Sequence, residues 1–206
     1  MSVTVVSHPL VSHALTILRD RLTGSADFRR AAEQAATAVI LECARSLPTR
    51  SVNIETPLEP MSSETVETPI VVVPILRAGL ALLDPAVKLL PNVSVGYFGM
   101  ERDENTALAR TYYKKLPPIA GNVVLVMDPM LATGGSATYA LQQIMQEQPL
   151  RVSLVCIVAA PEGIAKVTGE FPDVDIYCGA IDRELDHRKY ILPGLGDFGD
   201  RMFGTF

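Results

Sequence analysis

The stretch VLVMDPMLATGGSAT, residues 124–138, carries four apolar residues into Asp128, then turns through Pro129, Met130, Leu131 and Ala132 onto Thr133, Gly134, Gly135 and Ser136. A carboxylate, two hydroxyls and a run of small residues meet at one join. Helix N-termini present unpaired N–H groups and partial positive charge, so a loop of this kind entering a helix favours phosphate. The paired glycines let the backbone come close to an anion, and Thr133 and Ser136 add hydroxyl donors. Asp128 would repel a bare phosphate. It gains a purpose if the phosphate belongs to a ribose 5-phosphate, because a carboxylate accepts hydrogen bonds from the 2- and 3-hydroxyls. The plain alternative is a strand-to-helix turn capped by the aspartate.

Such a join needs a strand end and a helix start, and the surrounding pattern supplies both. NVVLVMD (122–128) reads as a strand, residues 136–147 as a helix, and RVSLVCIVAA (151–160) as the next strand. A short helix over 161–170 and the strand VDIYCGAI (174–181) come after it. Upstream, DFRRAAEQAATAVILECARSL (27–47) sets Phe28, Ala32, Ala35, Val39 and Cys43 on one helical face, with Asp27 as a cap. PIVVVPIL (69–76) is a continuous apolar run suited to a strand covered on both faces. Helical spacing resumes over 79–90, then VSVGYFGM (93–100) reads as a strand. Residues 101–118 are charged and end in Pro117 and Pro118, as a solvated loop or projecting hairpin would. Strands alternating with helices predict an α/β fold with a mainly parallel sheet, in which ligands sit beyond the carboxyl ends of the strands.

Composition narrows the field. At 206 residues, with 48% hydrophobic and 20% charged residues, the chain suits one globular domain. A net charge of -5 argues against nucleic-acid binding that relies on bulk basicity. Cys43, Cys156 and Cys178 lie in apolar runs at spacings that form neither a disulfide framework nor a zinc motif, which predicts buried free thiols. His8, His13 and His187 lack partner ligands, so no metal is assigned to them. MSVTVVSHPL carries no basic segment or long apolar core, and no apolar run reaches the ~20 residues of a membrane span. The expectation is a soluble cytoplasmic protein. A kinase-type phosphate loop is excluded because no lysine follows either glycine of the pair. GLGDFG (194–199) fits the dinucleotide pattern by letter only, with no room after Gly199 for the required helix.

The segment DPMLATGGS (128–136) resembles the phosphoribosyl pyrophosphate (PRPP) loop of the type I phosphoribosyltransferases. VPILRAGL (73–80), GMERDE (99–104), YILPGLGDFGDRMFGT (190–205) and HPLVSHALTILRD (8–20) are similar to the uracil-using branch of that family, in the same order along nearly the whole chain. The resemblance implies one phosphoribosyltransferase domain over 1–206: a parallel sheet with flanking helices, a projecting arm at about 99–118 and a C-terminal base-binding hood at about 182–206. It implies conversion of uracil and PRPP to UMP and diphosphate in pyrimidine salvage. Arg77 and Arg102 would bind the diphosphate, with Arg77 after a cis peptide. Asp128 would hold the ribose, residues 129–136 would bind PRPP, and 132–136 would anchor its 5-phosphate. Ile191, Gly196, Asp197 and Phe198 would hold uracil largely through backbone groups, with Asp197 also reaching PRPP. The bulk of Phe198 bears on how the pocket fits the pyrimidine.

Many type I enzymes carry two adjacent acids at the strand end, whereas Pro129 follows Asp128 here. Magnesium is therefore expected to ride on the donor's oxygens and waters more than on protein. The apolar content and the arm point to self-association into a homo-oligomer, and the resemblance makes GTP a candidate activator, as in some members. Two other readings are an RNA-binding regulator, opposed by the acidic total, and an enzyme for a purine or orotate, opposed by the hood sequence.

Overall fold

The computed structural model describes residues 2–102 and 109–205, with the backbone alone for 101–102 and 109–110. In chain order the elements are β1 (Val3–Val5), α1 (Pro9–Arg19), α2 (Ser25–Ala44), β2 (Thr49–Glu55), β3 (Pro60–Val66), β4 (Ile70–Leu76) and α3 (Leu80–Leu89). Next come β5 (Val93–Val95), β6 (Tyr97–Arg102), β7 (Ala109–Lys115), β8 (Val123–Met127), β9 (Met130–Leu131), α4 (Gly135–Met145) and β10 (Arg151–Ala159). The chain ends with α5 (Pro161–Glu170), β11 (Asp175–Ile181), β12 (Glu184–Leu185), β13 (Ile191–Leu192) and α6 (Phe198–Phe203).

The main sheet runs β1-β11-β10-β8-β4-β6-β7, with β5 also on β4 and β9 also on β10. Every pairing is parallel except that of β6 with β7. The apolar runs are strands because both faces are covered. Ile70 and Val72 of β4 point into a core shared with α1, α2 and α3, while Val71 and Val73 point into one shared with α4 and α5. The five residues expected on one face of α2 are all buried, and Ala31 and Ala36 join them. Those alanines let the helix backbone lie close to its neighbours. Burying Phe28 alone is worth about 1.5–3 kcal/mol.

Several boundaries move. α2 begins at Ser25 behind Gly24, and Asp27, expected as its cap, pairs instead with Arg30 in the first turn. The strand expected over 93–100 breaks at Gly96, whose N–H donates to the Val72 carbonyl at 2.9 Å. The charged excursion is, in its described part, the antiparallel β6–β7 hairpin with a bulge at Gly99/Met100. Residues 103–108, including Asp103 and Glu104, lie outside the described residues. The β2–β3 hairpin was not anticipated. All three cysteines are free and buried. Among the described residues no helix is long and apolar enough to cross a membrane.

The Leu76–Arg77 peptide is cis, as the resemblance implied, and so is Leu192–Pro193. Arg77 stands at the carboxyl end of β4, which pairs with β8 along the sheet.

Candidate active site

β8 stops because its neighbour β10 takes over the backbone of the next residues. The Asp128 N–H donates to Val155 O at 3.1 Å, and the Pro129 carbonyl accepts from both Ile157 and Val158 at 2.9 and 3.0 Å. Met130 and Leu131 rejoin β10 as β9, opposite Val158 and Ala159. Ala132 and Thr133 then lead to Gly134, which stands at φ +78 as the N-cap of α4. A left-handed φ is open to glycine and costly for a branched side chain. Gly134 supplies no capping side chain; Thr133 Oγ1 accepts from the Gly135 N–H at 3.3 Å, and Ser136 lies in the first turn. The loop therefore offers hydroxyls and a helix N-terminus at the carboxyl edge of the sheet.

One support of this loop escaped sequence reasoning. The first turn of α5 presses on it from behind, and a Cβ at Gly163 would run into the Ala132 carbonyl oxygen and stand 2.8 Å from that of Leu131. The glycine in PEGIAK was the available signal, since glycine inside a helix often marks a close backbone approach.

Asp128 is half-buried at the end of β8. Burial pushes its carboxyl up to about 7, against the weaker opposing effect of the Met130 N–H. An unfolded aspartate titrates near 3.8. The folded chain thus holds this proton more tightly, so the site's contribution to stability is whole below about pH 4 and lost as pH rises through about 7. Ligand-free protein is expected to lose at most about 4 kcal/mol over that window through this group. Asp128→Asn should lack that component. Denaturant unfolding of both proteins at pH 5 and pH 8 checks it, and a stability difference independent of pH would show an ordinary carboxyl.

The C-terminal segment folds back over the same edge. Asp182, 8% exposed, receives both Nη atoms of Arg19 at 2.8 and 2.7 Å and the Gly194 N–H at 2.9 Å. Arg19 also donates to Gly194 O at 2.9 Å. Arg201 lies with its guanidinium carbon 4.6 Å from the Phe28 ring centre and donates to the carbonyls of Leu18, Leu195 and Asp20. These bonds tie a glycine-rich segment to the C-terminal end of α1. Asp186 Oδ1 accepts from the N–H groups of Arg188 and Tyr190, both at 2.8 Å, which sets up the turn into β13.

A cavity of about 410 Å³ lies between loop and tail, lined by Met130 and Ala132 from one and by Arg188, Tyr190, Ile191, Gly196, Asp197 and Phe198 among residues of the other. All four residues anticipated for a base line it. The Phe198 ring itself is 2% exposed and packs edge-on against Phe28, centroids 5.0 Å apart. Its bulk fills core. Asp197 caps α6, accepting from the Asp200 N–H at 2.9 Å. Arg77 reaches α6, with Nη2 3.4 Å from Asp200 Oδ1. The Arg102 backbone closes β6 opposite Ala109, while its side chain lies outside the described residues.

The fold defines a class first. A solved hypoxanthine-guanine phosphoribosyltransferase from Bacillus anthracis superposes with a TM-score of 0.52 at 12% identity, over 77% of this chain and 80% of that one. A solved Aquifex aeolicus protein matches with a TM-score of 0.94 at 35% identity, over 98% of each chain. Residues 5–205 match the model of the uracil phosphoribosyltransferase family. The uracil phosphoribosyltransferases of Lacticaseibacillus paracasei and Clostridium tetani are 45% and 46% identical, over 98% of this chain and 98% of each of theirs. The chain belongs to the uracil phosphoribosyltransferase family.

Proposed function

We propose that the chain transfers the phosphoribosyl group of PRPP to uracil, yielding UMP and diphosphate. The observation that supports this reading is the cavity of about 410 Å³ lined by Met130 and Ala132 of the loop after β8 and by the glycine-rich tail. Family membership supplies the base. The Thr133–Ser136 hydroxyls and the N-terminus of α4 take the 5-phosphate, while Asp128 takes the ribose 2- and 3-hydroxyls. Arg77 and Arg102 take the diphosphate. Backbone groups at Ile191, Gly196 and Phe198, with Asp197, meet the edge of uracil.

The C1–O bond to diphosphate breaks, the bond from C1 to uracil N1 forms, and the N1 proton leaves to solvent. Positive charge grows on C1 as the leaving group departs, and a carboxylate at Asp128 holding the ribose hydroxyls would stabilise that charge. Hydrogen bonds from the ribose hydroxyls favour its ionised form, opposing the desolvation that holds its titration near 7. The protein's contribution is positioning and charge stabilisation. Among the described residues no three His, Cys, Asp or Glu side chains converge to hold a metal ion. Pro129 stands where a second acid would follow Asp128, so Mg²⁺ would be carried mainly on the donor's own oxygens with retained waters. When bound, the ion neutralises charge on the leaving diphosphate.

The direct test is UMP formation from uracil and PRPP, with Mg²⁺ and GTP each varied and the oligomeric state sized alongside. GTP activation and homo-oligomerisation are parts of the proposal that this assay separates from turnover. No UMP under any condition would overturn it. Arg102→Ala is expected to lower kcat by ~10²-fold or more, the effect of removing one charge-stabilising donor. Wild-type kinetics for that variant would return Arg102 to a surface role.

A further inference from the structure

Arg77 sits at the end of β4, yet its guanidinium is oriented by the last helix of the chain. Its Nη1 lies 3.4 Å from Thr205 Oγ1, its Nη2 3.4 Å from Asp200 Oδ1, and its central carbon 5.8 Å from the centre of the Phe203 ring. Asp200 Oδ1 also accepts the Thr205 hydroxyl at 2.8 Å. The Asp200 N–H donates to Asp197 Oδ1 at 2.9 Å, and Asp197 lines the cavity. A continuous path therefore runs from the base side of the cavity, through α6, to the arginine assigned to the diphosphate.

The two ends of this path differ in firmness. α6 is fixed by Phe198 on Phe28 and by the three carbonyls that Arg201 holds. The Arg77 side chain is 54% exposed. Without a partner it would sample many rotamers. A guanidinium carries five N–H donors in a rigid fork, so engaging two leaves others for an anion. Contacts of 3.4 Å orient the group without consuming it.

We infer that Asp200, with Thr205, is a positioning residue that presents Arg77 to the diphosphate of the donor. This rests on the proposed reading of the site. The test is steady-state kinetics on the full-length protein: wild type, Asp200→Ala, Asp200→Asn, Thr205→Val, Arg77→Ala and the Asp200→Ala/Arg77→Ala double variant. Asp200→Ala is expected to lower kcat/KM for PRPP by roughly 10–100-fold, the scale of a misplaced binding group. KM for uracil at saturating donor should stay within about twofold. Asp200→Asn keeps the acceptor oxygen and should recover most of the loss. Thr205→Val leaves α6 and its cap in place and should give a smaller loss of the same kind.

In the Arg77→Ala background, Asp200→Ala should add nothing, because the group it orients is gone. Independent losses in that cycle, or a loss carried by uracil KM, would mean that Asp200 merely stabilises α6, and the inference falls. Tighter donor binding by Asp200→Ala would overturn it too, showing a contact that competes with diphosphate. A wild type without uracil-dependent turnover removes the reading of the site and this inference with it. An active wild type with independent losses removes the inference alone.

Discussion

Gly134→Val is expected to abolish PRPP binding in a protein that remains folded. Two causes act at one atom. The residue stands at φ +78, a conformation that β-branched side chains rarely adopt. Its Cβ would also come within 3.1 Å of Gly163 O and 3.3 Å of Lys166 Cβ, so the first turn of α5 blocks retreat. The loop must then shift toward the space assigned to the 5-phosphate. Gly134 fills no core, and the sheet beneath it is paired on both sides, so circular dichroism should change little. Calorimetric titration with PRPP and Mg²⁺ reads the result. Tight binding by the folded variant would show that this loop does not hold the phosphate. Asp128→Asn is the contrast: it keeps the size of the side chain, so some donor binding should survive while turnover falls.

Discrimination between uracil and cytosine should reach roughly 10⁴-fold or more in kcat/KM. Uracil offers an acceptor at O4 where cytosine offers an amino donor. A backbone N–H placed for the first meets another donor in the second, and a buried mismatch of this kind is costly. The tail is braced for such a task. Arg19, Asp182 and Arg201 pin it at Gly194 and Leu195, directly before the cavity residues Gly196 and Asp197. A segment held at those points cannot reorganise cheaply to suit the wrong base. Comparable kcat/KM values for the two bases would mean that the hood does not read the pyrimidine edge.

What was legible in the chain divides along physical lines. β4 and β8 announced themselves because strands covered on both faces must be continuously apolar, β10 and β11 because they are largely so, and α2 because a half-buried helix repeats its apolar residues. The join at Asp128 was legible because carboxylate, glycine pair and hydroxyls are consecutive. The β2–β3 hairpin was not, since its residues are exposed or half-buried and no burial pattern is imposed on them. Nor was the Arg19–Asp182 pair, whose members stand 163 residues apart. Asp200 carries no local mark within a glycine-rich tail, and Gly163 only the weak one of a glycine inside a helix. What each touches lies across the fold. Phe198 lines the cavity, but that its ring turns away to Phe28 is set across the fold and could not be read beside the base residues in sequence.

The pairing of β1 with β11 bears on how the chain can acquire its structure. Val3, Thr4 and Val5 find their partners only at Ile176, Tyr177 and Cys178, and α1 is clamped by residues of the tail. A ribosome supplies these partners only after most of the chain has emerged, so α1 and α2, which pack on each other, wait for the part of their apolar surface that β10, β11 and α6 cover. Topologies dominated by such distant pairings fold slowly and expose aggregation-prone surface on the way. The covering of that N-terminal surface, rather than any local helix formation, is then the expected slow step of folding.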